Sequence, residues 1–97
     1  MLLGRVVGTL VATRKEPSME GFKFLVLRRI DAEGKDMADY VVAVDGVGAG
    51  VEEVVLYATG SAARQTMATK DRPCDAVVMA IVDSWEIGGQ ELFHKHR

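Results

Sequence analysis

Five stretches of the chain are dominated by Val, Leu, Ile and aromatic residues. Each is bounded by Gly, Pro, Asp or Lys, the residues that punctuate strands. They run from about Leu2 to Thr13, Phe22 to Ile30, Tyr40 to Asp45, Glu53 to Thr59 and Ala76 to Ile87. The polar segment from Arg14 to Gly21, with Pro17 and Gly21, reads as a loop. Asp31 to Lys35 reads as a hairpin turn in which Gly34 supplies a positive φ. Only Ser61 to Ala68 combines good helix formers with a hydroxyl in front, which predicts a short helix of a turn or two between the fourth and fifth strands. Five strands and one short helix predict a mainly β domain, an OB-like or related Greek-key closed barrel. The strand count leaves the topology open.

A strand with one wet face alternates apolar and polar residues. These strands do not. In the last run Ala76, Val78, Ala80 and Val82 share one face, and Val77, Met79, Ile81 and Trp85 the other. Val54, Leu56 and Ala58 oppose Val55 and Tyr57, and Tyr40, Val42 and Val44 oppose Val41 and Ala43. A five-stranded barrel has an inside for one of these sets and too little helix to cover the other. The simplest cover is further copies of the same chain.

With 97 residues, the chain has room for one domain, residues 1–97, and no second core. A domain of this size buries only roughly 60 to 65% of the surface its unfolded chain exposes, so association would add to its stability. The 48% hydrophobic content is that of a globular protein. Twelve basic and 14 acidic residues leave a net charge of -2, which disfavours general nucleic-acid binding. Cys74 is the single cysteine; it suits a reducing cytosol and reads as a small filler at a strand entrance. Arg5 interrupts the apolar start where a signal peptide would continue, and no apolar run approaches the roughly 20 residues of a membrane span. A soluble, cytoplasmic protein without membrane contact is expected.

Candidate chemistry is sparse. His94 and His96, the only histidines, alternate in the terminal stretch Phe93 to Arg97, which reads as a solvated tail; no metal site is expected. Asp45-Gly46-Val47-Gly48-Ala49-Gly50 is glycine-rich, but the long helix, lysine and hydroxyl of a nucleotide-binding loop are missing. It reads as a tight loop whose small residues permit close packing between chains. Gly60-Ser61-Ala62-Ala63-Arg64 lacks the second glycine of a nucleophile elbow, and no histidine lies in the body of the domain to complete a triad. Its small side chains and free N–H groups suit the lining of an opening that holds an anion. No catalytic residue and no cofactor are expected. Arg28-Arg29 on a barrel face keeps one alternative in play, an OB-fold module for single-stranded nucleic acid, which would need aromatic stacking platforms beside it.

Four runs in fixed order carry a wider resemblance. They are Leu3-Gly4-Arg5-Val6-Val7-Gly8 with Ala12-Thr13, then Val42 to Gly50, then Gly60-Ser61-Ala62-Ala63-Arg64, and last Asp75-Ala76 leading to Ile81-Val82-Asp83. In these the chain resembles the EutN/CcmL family of bacterial microcompartment vertex proteins. The resemblance implies a five-stranded OB-like closed β-barrel with one short helix between strands 4 and 5, assembled as a homopentamer. Such pentamers would cap the corners of an enzyme-enclosing shell whose facets are hexameric shell proteins. It places Gly48, Gly50 and Arg64 at contacts around the ring, and Ser61 with Ala62 beyond Gly60 at the axis. Where the family commonly shows Gly-Ser-Ser-Ala-Arg, this chain has Ala62 in the third place, which removes a hydroxyl from any axial opening. Where it commonly shows Gly-Glu, this chain has Glu52-Glu53. Residues 84–97 lie outside the shared motifs and are expected to act in local packing or assembly.

Overall fold

The computed structural model describes residues 1–67, 69–72 and 74–95. The strands are β1 (Leu2–Leu10), β2 (Phe24–Ile30), β3 (Asp36–Asp45), β4 (Val54–Thr59), β5 (Ala76–Ile81), β6 (Ser84–Ile87) and β7 (Gln90–His94). The first five close a barrel in the order β1-β2-β3-β5-β4, with β4 returning to β1. Every joint is antiparallel except β3 to β5, which is parallel and only two residue pairs long, Val44 with Val77 and Asp45 with Val78. The expected five-stranded OB-like barrel is therefore what the chain forms, with its topology now defined.

Alternation sorts the side chains. Val6, Leu25, Leu27, Ala43, Val55, Tyr57 and Val78 fill the interior with Ala49 and Ala76. Each fully buried aliphatic side chain of this size stabilises the fold by about 1.5 to 3 kcal/mol. Tyr57 needs the most room, and Gly4 supplies it: a Cβ there would stand 3.0 Å from the tyrosine ring. A second, smaller cluster of Val44, Ala58, Ala63 and Val77 lies on the opposite face of the same strands, with Phe22, Phe24, Cys74 and Met79 packed on it. Cys74 acts there as a packing residue, its Sγ 3.6 Å from the Ala63 carbonyl oxygen. The doubly apolar strands thus feed two clusters, one on each side of the barrel wall.

Several boundaries differ from expectation. β1 stops at Leu10 and β2 begins at Phe24. The intervening loop contains a 3₁₀ turn at Pro17–Met19. β3 begins at Asp36 rather than Tyr40, because cross-strand partners support its polar start: Arg5 makes a two-pronged contact to Asp36 at 2.7 and 3.0 Å, and Arg29 reaches Asp39 at 3.3 Å. The run expected to continue to Ile87 breaks at Val82 and Asp83. Its remainder becomes a separate antiparallel hairpin, β6 with β7, turning at Gly88-Gly89, both at positive φ. His94 ends β7 rather than lying in a loose tail, and His96 lies outside the described residues.

The predicted short helix over Ser61 to Ala68 is only a 3₁₀ turn, Gly60–Arg64. Hydroxyl groups explain why an α-helix does not form. Thr69 Oγ1 donates to the Ala63 carbonyl at 2.5 Å, the oxygen an α-helix would give to residue 67, and Thr66 Oγ1 accepts from the Thr69 N–H at 3.1 Å. Such side-chain bonds compete with the helical ladder. Thr69 is fully buried in doing so.

Candidate assembly surface

Two short segments singled out by their small residues leave the barrel near one another in sequence, and the fold treats them differently. The glycine loop after β3 is pinned by carboxylates. Asp45 Oδ1 accepts from the N–H groups of Val47, Gly48 and Ala49 at 3.0, 3.0 and 3.3 Å, and its side chain is only 2% exposed. Lys23 stands 3.7 Å from the other oxygen. At the far end of the loop Glu53 Oε1 accepts from Gly50 N–H at 2.7 Å, while Oε2 meets Lys95 Nζ at 3.3 Å. The Gly50 amide, followed by Lys95, holds the Glu53 carboxyl below the usual carboxylate range.

The glycines divide the work. Gly46 is where the loop meets its own barrel most closely, because a Cβ there would lie 3.0 Å from the Val78 carbonyl oxygen. Gly48 has φ +79 and no atom of its own chain within 4 Å of a would-be Cβ. Its backbone excludes side chains while its surface stays free. Gly50 is likewise exposed. Glu52 adopts φ 77, the left-handed region that costs an L-residue about 1 to 2 kcal/mol. Sequence reasoning did not single out Asp45 or Glu53 as organisers; the available signal was an Asp directly before a glycine turn, which favours such side-chain caps.

In the Gly60–Arg64 turn only Ala63 is buried. Gly60, Ser61, Ala62 and Arg64 are exposed, with Gly60 at φ +63 and Arg64 Nη1 3.4 Å from the Cys74 carbonyl oxygen. The two segments approach across a groove of about 220 Å³, lined by Gly46, Val47, Thr66, Met67, Val78 and Met79. None of the six candidate residues lines that groove, so within one chain they form no common pocket.

The outer barrel wall carries two unlike apolar patches. On β1, β2 and β3, Leu10 pairs with Phe24, and Phe24 with Val44; one row on, Gly8 pairs with Val26, and Val26 with Val42. Leu10 and Val42 are 38% and 47% exposed, and a groove of about 460 Å³ opens here, lined by Leu10, Val11, Ala12, Phe22 and Phe24. On β1, β4 and β5, Leu3 pairs with Leu56 and Leu56 with Ala80, all three half-buried. An extra residue in β5 opposite Leu56 and Tyr57 lets Ala80 face outward beside Leu56 while Val78 and Ile81 pack on the core. A closed ring needs two different, complementary patches on each subunit, and this barrel has two.

Polar groups on the wall are committed to their neighbours. Arg28 donates to the Met37 carbonyl at 2.5 Å and the Tyr40 hydroxyl at 2.7 Å, and its guanidinium lies 4.8 Å from the Tyr40 ring centre. Arg29 pairs with Asp39. The Arg28-Arg29 pair considered for nucleic acid is therefore spent within the sheet. No group of three or more His, Cys, Asp or Glu among the described residues is placed to hold a metal ion. No described helix is long and apolar enough to cross a membrane.

The family model for ethanolamine utilisation protein EutN/carboxysome matches residues 1–83. The chain belongs to the EutN/CcmL family. The carboxysome shell vertex protein CcmL of Gloeobacter violaceus is 50% identical over 95 residues, covering 98% of this chain and 95% of the relative. The bacterial microcompartment shell vertex protein EutN of Escherichia coli is 39% identical over 95 residues, covering 98% and 100%. Among solved structures, Gloeobacter violaceus CcmL superimposes with a TM-score of 0.96 at 49% identity over the whole of both chains. The GrpN pentameric microcompartment shell protein of Rhodospirillum rubrum does so at 0.83 and 41%, covering 90% of this chain and 99% of its own. Glu52, where the family resemblance implies a glycine, takes a positive φ, a conformation that glycine adopts without strain. The β6–β7 hairpin lies beyond the 83 residues that the family model matches.

Proposed function

We propose that this chain is the vertex subunit of a bacterial microcompartment shell in the cytoplasm, a non-catalytic part that works as a homopentamer. Closing a curved sheet of hexagonal tiles requires pentagons, so a five-fold ring at the corners has a mechanical role even when it transports nothing. The observation that carries this reading is the pair of unlike apolar patches on one barrel, around Leu10, Phe24 and Val42 and around Leu3, Leu56 and Ala80, which suits head-to-tail closure. Relatives named as shell vertex proteins, and a pentameric neighbour in structure, support it.

In this ring Gly48, Gly50 and Arg64 lie at contacts between subunits, Ser61 and Ala62 turn toward the axis, and Gly60 belongs to the interface or the pore. The positive φ of Gly48 and the free space above it agree with such a place. Hexameric tile proteins are the outer partners, met through contacts weaker than those within the ring. Residues 84–97 serve as an extension for local packing or assembly.

Native mass spectrometry of the purified protein tests the ring directly, with a five-subunit mass expected. Val42→Glu and Leu56→Glu, one on each patch, should each yield folded single subunits, and mixing the two variants should not restore a closed ring. A folded wild-type monomer at micromolar concentration refutes the reading.

A further inference from the structure

The segment from Glu16 to Phe22 flanks the larger apolar groove, and one arginine from a distant part of the chain holds it. Within the segment the hydrogen bonds are local. Glu16 caps Ser18 N–H at 2.8 Å, and the N–H groups of Met19, Glu20 and Phe22 reach back three residues. Turns of this size do not persist alone against chain entropy. Arg72, on the crossover between β4 and β5, adds three ties from 50 to 54 residues away. Its Nε donates to the Ser18 carbonyl at 2.8 Å, its Nη2 donates to the Glu20 carbonyl, and its guanidinium lies 3.9 Å from the Phe22 ring centre. Phe22 in turn meets Phe24 edge to face, centroids 6.2 Å apart, and both rings line the groove.

We propose that Arg72 is a positioning residue for assembly: it fixes the Glu16–Phe22 segment and the Phe22 ring, and so shapes the groove over Leu10 and Phe24 that receives a second copy of this chain. The inference rests on the ring reading above. A planar guanidinium fits this task because it spans two carbonyls while stacking on a ring, whereas an ammonium serves only part of the geometry.

The test compares Arg72→Ala, Arg72→Lys and, as a charge-matched control in the β1–β2 loop that holds the segment, Arg14→Ala. Hydrogen exchange at Met19, Glu20 and Phe22 is expected to rise by roughly tenfold in Arg72→Ala, less in Arg72→Lys and not at all in Arg14→Ala, while Leu25 and Leu27 keep their protection. Dissociation of the ring on dilution should follow the same order. If Arg72→Ala does not fold, Phe22→Leu, which keeps apolar bulk but removes the ring under the guanidinium, should weaken the ring in the same direction as Arg72→Lys. A wild-type ring whose dilution behaviour ignores Arg72, or unchanged exchange in the segment, overturns the proposal and leaves the ring reading intact. A wild-type monomer would instead sink the ring reading and, with it, the docking role given to Arg72.

Discussion

The glycine loop between β3 and β4 and the crossover between β4 and β5 both contain small residues and meet opposite ends of β4, yet they are stabilised by different chemistry. The glycine loop hangs from two carboxylates, Asp45 at its start and Glu53 at its end. The first part of the crossover is ordered by neutral hydroxyls, Thr66 and Thr69, around the Ala63 carbonyl, while Arg72 ties its later part to the Ser18 and Glu20 carbonyls. Charge-assisted hydrogen bonds are roughly twice as strong as neutral ones. The loop should therefore be stiffer than the hydroxyl-held part of the crossover around Ala63.

Four substitutions or conditions probe that contrast. Asp45→Ala removes the acceptor of three N–H groups, one of them on buried Ala49, and should destabilise the fold by about 2 to 3 kcal/mol in urea unfolding, with increased exchange at Val47 to Ala49. Thr69→Val keeps the shape but leaves the Ala63 carbonyl only the weak Cys74 thiol donor, and a loss of about 1 to 2 kcal/mol is expected. Equal losses for the two variants would erase the distinction. Glu52→Gly should raise stability by about 0.5 kcal/mol, because relief of the left-handed strain exceeds the extra chain entropy of glycine; a lower melting temperature would show that Glu52 makes a compensating contribution.

The smallest effect is that of pH on Glu53. Its carboxyl titrates below its ordinary value of 4.5 in the folded chain, so its contribution is fully present above that value and is lost as pH falls through the lowered one. The melting-temperature gap between wild type and Glu53→Gln should hold at neutral pH and close in acid. A gap that does not change with pH would mean that the charge on Glu53 is immaterial to the loop.

Away from these segments, Tyr57 shows how local reading and folded environment part company. Its place opposite Leu56 in a doubly apolar strand was legible, and the structure puts it at the centre of the core. That its hydroxyl is buried there without a hydrogen-bond partner among the described residues, and that burial raises its pKa, depends on which strands surround it. β3 is a second case. Asp36 and Asp39 look unlike strand residues until Arg5 and Arg29 are brought alongside from other strands. The hairpin β6–β7 is a third, for Gly88-Gly89 between Ile87 and Gln90 is a turn signal in the sequence, obscured by reading the end of the chain as a tail. Arg72 gave no such signal, because its partners lie 50 or more residues away.

By itself the sequence determined the number of barrel strands, the burial demanded on both of their faces and the family pattern, since apolar periodicity and turn residues act over a few positions. Only the tertiary structure decided which carboxylate caps which loop, why the expected helix gives way to a 3₁₀ turn, and how the outward apolar residues divide into two patches. Those outcomes depend on contacts between residues far apart in the chain, and such contacts exist only once the barrel has closed.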